Sequence, residues 1–88
     1  MIIDINQENF LSELQKYVGK TGYKFIIRQE DTPRKRYCTE KIISFGANCV
    51  NDGCLDVIID ITYFENEDVK YEISDVFSVE IIKKRKEK

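Results

Sequence analysis

The chain has 88 residues, 42% apolar and 34% charged, with a net charge of −2, which fits one globular domain and leaves no room for two. It has no histidine, and its three cysteines (Cys38, Cys49, Cys54) are spaced too widely for a CxxC zinc or redox site, so the usual general base and metal ligands are missing. No apolar run approaches the ~20 residues that span a bilayer, and the N-terminus lacks the pattern of a signal peptide. An odd cysteine count without an export signal predicts reduced thiols and a cytoplasmic protein.

Thirteen isoleucines against one alanine and one proline favour strands over helices. Met1 to Ile5 reads as a short edge strand or a lead-in. Asn6 is placed to cap a helix, with Ile5 and Phe10 at the two positions of a hydrophobic staple. Phe10, Leu11, Leu14, Tyr17 and Val18 keep the spacing of one apolar helical face, and Gly19 supplies a left-handed end. The spacing predicts a helix over 7–18. The Gly-Lys-Thr at 19–21 is a cap and turn and not a phosphate loop, because it follows a helix and lacks the earlier glycine.

After Gly22 the period changes to two. Tyr23, Phe25 and Ile27 share one face of a strand. Asp31-Thr32-Pro33 marks a turn-rich stretch, and Tyr37 to Phe45 reads as a second strand with a break near Lys41, which falls in an apolar slot. Residues 46–53 read as a loop ending in the hairpin signal Asn51-Asp52-Gly53. Leu55 to Phe64 is the clearest strand, with Leu55, Val57, Ile59, Ile61 and Tyr63 on one face. Two strands follow, about 69–74 and 77–82, separated because Asp75 would otherwise be buried. Face parity and charge favour a register with Thr62 opposite Glu72 and Asp60 opposite Ser74, through a loop over 65–69.

The expected fold is α+β, one N-terminal helix followed by a five-stranded antiparallel sheet, with residues 1–82 as the domain and 83–88 as a frayed basic tail. The segment Tyr71 to Ile82 resembles the closing strand pair of an Sm-like or SH3-like barrel, and a helix ahead of five strands is similar to Sm-like domains. That resemblance implies a small barrel that binds nucleic acid or protein. An open sheet with the helix packed on one face is the alternative.

Charge is laid out in blocks: −3 over 1–15, +5 over 16–41, −8 over 42–82 and +4 over 83–88. The acidic block places Asp56, Ile58, Asp60, Thr62 and Phe64 on the outer face of one strand. That face is the expected contact surface of a noncatalytic protein-interaction module, a small regulator or inhibitor of the kind found in bacteria, phages and mobile elements. The rival reading is a nucleic-acid-binding barrel that uses Lys24, Arg28, Arg34, Lys35 and Arg36, with Tyr37 for stacking and the tail for phosphate affinity. Net acidity weighs against the rival. Either reading is compatible with a homo-oligomer built through an edge strand, and neither calls for a metal, a cofactor, a membrane or catalysis. The bland account of both blocks is a solvated surface that neutralises itself internally.

Overall fold

In the computed structural model of the chain, residues 1–29, 34–51, 54–66 and 68–84 are described, with side chains described outside 48–57. The elements run β1 (Ile2–Asp4), α1 (Phe10–Gln15), β2 (Tyr23–Gln29), β3 (Arg36–Thr39), β4 (Ile42–Asn51), β5 (Cys54–Asn66), β6 (Val69–Ile73) and β7 (Val76–Lys83). All pairings are antiparallel, in two sheets ordered β1-β7-β2-β3 and β4-β5-β6. The α+β class holds, but there are seven strands instead of five, and the described strands do not close into a barrel.

The strand count rises for two reasons. The start of the chain is a true edge strand, pairing Ile3 with Val79, and Ile81 exchanges backbone hydrogen bonds with Met1. The expected strand from Tyr37 to Phe45 is cut at Glu40-Lys41, where the chain leaves the first sheet and enters the second. Thr39 holds that crossing. Its buried hydroxyl accepts from the Lys41 N–H (3.3 Å) and donates to the Phe64 carbonyl (3.0 Å).

The return crossing lies at Ser74-Asp75. Asp75 adopts φ = 59°, a left-handed conformation that carboxylate and amide side chains tolerate better than most. The Gln29 side-chain amide donates to the Ser74 carbonyl and ties the crossing to β2. The last strand runs past Ile82: Lys83 pairs with Tyr23, and the Lys84 N–H donates to the Gly22 carbonyl. Residues 85–88 lie outside the described residues, as does the turn over 30–33.

The helix is shorter than its apolar period. Asp4 still pairs with Ser78 and the Ile5 N–H donates to Phe77, so the chain stays against the sheet through Ile5 and turns before a helix begins. Asn9, not Asn6, precedes the helix, with no side-chain cap. Beyond Gln15 the backbone tightens into three-residue turns up to Gly19 (φ = 78°). The Gly19 N–H donates to Ile42 on β4 instead of to a helical carbonyl. Phe10 and Leu14 still face the interior.

Residues 46–51, expected as a loop, continue β4, with Ala47 opposite Ile59 and Asn51 opposite Cys54. The turn residues between them, Asp52 and Gly53, are outside the described residues. At roughly 3.3 Å per residue the thirteen residues of β5 reach about 40 Å, so β5 lies along the long axis of a molecule measuring 52 × 26 × 24 Å. Thr62 pairs with Glu72 as the charge argument required. Its companion Asp60–Ser74 does not form, because the ladder ends at Ile61–Ile73.

One core joins both sheets and the helix. It is built from Ile3, Phe10, Leu14, Phe25, Ile27, Ile42, Ile59, Ile61, Tyr63, Ile73, Val76, Val79 and Ile81. Among the described residues the register shifts at four places, near Ile43, between Cys49 and Asn51, and at Glu65 and Phe77. The last explains why Val76 is buried and Phe77 only half-buried, the reverse of strict parity.

The return crossing gives a direct test. Asp75→Asn should leave stability within about 0.5 kcal/mol, whereas Asp75→Val should cost about 1–2 kcal/mol, because a β-branched residue resists positive φ. Urea unfolding of the two variants measures this, and a valine without cost would contradict the geometry.

Candidate functional site

Two outer faces carry the residues singled out by the sequence. On the second sheet, Ile58, Asp60, Thr62 and Phe64 share the outer face of β5 as expected, while the side chain of Asp56 is outside the described residues. The central position of β5 limits their access. Thr62 lies between Ser44 and Glu72, Asp60 beside Gly46, and Phe64 beside Lys70, and all four are half-buried instead of exposed. Phe64 also lines a cleft of about 560 Å³ with Thr21, Gly22, Cys38, Thr39, Glu40, Lys41, Glu65, Asn66 and Lys84. The Lys84 ammonium pairs with the Glu40 carboxylate in that cleft. Among the described residues no buried side-chain polar atom lacks a partner and no cluster of three metal-ligating groups occurs.

The first sheet presents a different outer face. Its rows follow from the register: Asp4, Ser78, Arg28, Arg36 in one, Ile2, Glu80, Ile26, Cys38 in the next, and Ile82 beside Lys24 in the third. Arg28 stands directly opposite Arg36 across β2 and β3, where paired Cα atoms are only about 5 Å apart. Asp4 is two strands from Arg28, about 10 Å, which is near the screening length of physiological salt. Glu80 lies diagonal to Arg28 and Lys24. No salt bridge among the described residues reaches Lys24, Arg28, Arg34, Lys35 or Arg36, the two present being Lys16–Glu13 and Lys84–Glu40. The basic and acidic blocks therefore do not pair with each other at contact distance among the described residues.

Apolar groups lie beside these cations. Ile2 is 61% and Ile82 40% exposed, Ile26 is half-buried, and Cys38 is an exposed free thiol. Tyr37 does not join this surface. It pairs with Ile27, on the inner face, and packs half-buried against the core. Of the basic loop residues, Lys35 goes with it, its ammonium 5.1 Å from the ring centre. Sequence reasoning missed Ile2, Ile82 and Cys38. The signal was present in their parity, but only the pairing of β1, β7, β2 and β3 sets them on the same face as Arg28.

At the far side of the second sheet, Tyr63 and Tyr71 stack across β5 and β6 with ring centres 5.5 Å apart. Burial pushes the Tyr63 phenol above its ordinary value near 10, and the Glu65 carboxylate raises that of Tyr71 through a hydrogen bond and charge repulsion. No described helix is long and apolar enough to cross a membrane.

The chain matches no protein-family model, and neither a curated protein nor a solved structure is detectably similar to it.

Because the fold favours the neutral phenols, their contribution to stability is present below the free tyrosine value near 10 and is lost as pH rises through the raised folded values. Glu65→Gln should move the ionisation of Tyr71 down toward that of free tyrosine. Alkaline titration of tyrosinate absorbance reads this, and an unchanged curve would place Glu65 away from the phenol.

Proposed function

We propose that the protein is a noncatalytic protein-interaction module, a small regulator or inhibitor acting in a reducing compartment, and that it docks through the outer face of the β1-β7-β2-β3 sheet. The carrying observation is the Arg28–Arg36 pair. Two cations facing each other across a ladder repel, a cost carried by the free protein. A carboxylate arriving over them turns that cost into a charge-assisted contact available only in the complex. Ile2 and Ile26 lie in the neighbouring row and Ile82 in the row beyond it, and supply apolar area on the same face. The matching partner is a protein segment that carries acidic side chains next to aliphatic or aromatic ones.

This moves the docking surface away from Ile58, Asp60, Thr62 and Phe64, which lie on a central strand of the other sheet and carry no like-charged pair facing across a ladder. It also weighs against nucleic acid. A single strand would want an aromatic platform among the cations, and Tyr37 turns to the other side of its sheet.

Selection of peptides from a random display library on the immobilised protein tests the proposal. Enriched sequences should combine Asp or Glu with Leu, Ile or Phe. Arg28→Glu with Arg36→Glu should weaken a selected peptide about tenfold or more, while Asp60→Asn leaves it unchanged. Peptides without acidic residues, or binding indifferent to the arginines, would overturn this reading. A mobility shift of single- or double-stranded nucleic acid at low salt, lost as salt rises, would favour the rival.

A further inference from the structure

β6 is an open edge. Among the described residues it pairs with β5 alone, and Val69, Lys70, Tyr71 and Glu72 are all exposed, Tyr71 by 41%. An unpaired edge is a template for another strand, and proteins ordinarily blunt it with a charge. Here the charge comes with its own complement. The sequence Val69-Lys70-Tyr71-Glu72-Ile73 reads apolar, cation, aromatic, anion, apolar, and is symmetric about Tyr71 with the two charges exchanged.

We infer that β6 is a dimerisation edge whose partner is a second copy of this chain, paired antiparallel about Tyr71. A two-fold axis through that point sets Lys70 of one copy opposite Glu72 of the other, twice, and Val69 opposite Ile73, twice. Tyr71 meets its own counterpart. Because each Tyr71 already stacks on Tyr63, the inner face then carries a row of four aromatic rings. The two three-stranded sheets become one of six strands.

Charge fixes the register. Pairings that keep inner residues opposite inner residues are centred on a residue. Centring on Lys70 sets lysine against lysine, and centring on Glu72 sets glutamate against glutamate. Of these three interior centres of β6, Tyr71 is the one that joins opposite charges. The remaining edges do not have this property. β1 about Ile3 would set Ile2 against Asp4, and β3, with one arginine and no acid, and β4, with no charged residue, have no opposite charges to exchange. β7, the other strand adjoining β6 in the chain, is flanked on both sides by β1 and β2.

The inference is independent of the docking face proposed above, which lies on the other sheet. A short edge pairing predicts a weak dimer, so sedimentation velocity over a concentration series is the measurement. The full chain should shift toward twice the monomer mass as concentration rises. Lys70→Glu sets glutamate against Glu72, and Glu72→Lys sets lysine against Lys70, so each should weaken the dimer about tenfold. Their partners on β5 within the same chain, Phe64 and Thr62, are uncharged, so neither change opposes the fold.

The decisive arm is an equimolar mixture of the two single variants. Glutamates at 70 and 72 of one chain then face lysines at 72 and 70 of the other, and a heterodimer should form where neither variant self-associates. The double exchange Lys70→Glu with Glu72→Lys should restore the homodimer. A wild type that stays monomeric at all concentrations, single variants that dimerise like wild type, or a mixture that fails to associate would each overturn the inference.

Discussion

A charged side chain cannot hold an inward slot of a sheet without a partner, and this chain places one such residue at each point where it changes sheets. Lys41 follows β3 and Asp75 precedes β7. Had either position been apolar, Tyr37 to Phe45 or Tyr71 to Ile82 would read as an unbroken strand. The break in each lets the two sheets face each other and share the core. Polar contacts then hold the crossings: the Thr39 hydroxyl between Lys41 and Phe64, and the Gln29 amide on Ser74. Burying the aliphatic residues around Ile61 and Val79 supplies most of the driving force, and the two charges decide where that force can act.

The consequence for the surface is a separation of charge. Once the sheets face each other, outer-face residues of one point away from those of the other. Arg28 and Arg36 belong to one outer face, Asp60 and Glu72 to the other. A linear sequence with basic and acidic blocks thus becomes a domain with chemically distinct sides and a net charge close to zero. The basic side carries the exposed isoleucines of β1 and β7, and the acidic side ends in the β6 edge. We propose a partner segment for the first and another strand for the second.

Much of this was legible in the residues. Period-two alternation located Phe25, Ile27, Ile59, Ile61 and Tyr63 in the core, and repulsion between carboxylates chose Thr62–Glu72 over its alternative. Asp75 announced a crossing. Other features depended on tertiary contacts that leave no local mark. A bulge shifts parity by one residue, so Phe77 and Val76 exchanged roles, and the bulge exists because Gln29 must meet Val76 across β2 and β7. The helix lost its first turn because Asp4 is held by Ser78, a partner 74 positions away. Residues 46–51 looked like a loop because Gly46 and the turn signal Asn51-Asp52-Gly53 bracket them, yet backbone pairing with β5 carries them on as strand. The candidate site suffered most. The face carrying Arg28 is assembled from β1, β7, β2 and β3, so its apolar half was invisible until the pairing was known.

The two crossings can be tested at the level of the backbone. Solution NMR of the isotopically labelled protein should show interstrand contacts from Val79 to both Ile3 and Ile27, together with contacts from Tyr71 to Tyr63 and none between the β6 and β7 backbones. A contact ladder joining β6 directly to β7, as in a simple meander, would contradict the account, because the chain would then not change sheets at Asp75 and the two outer faces would merge into one.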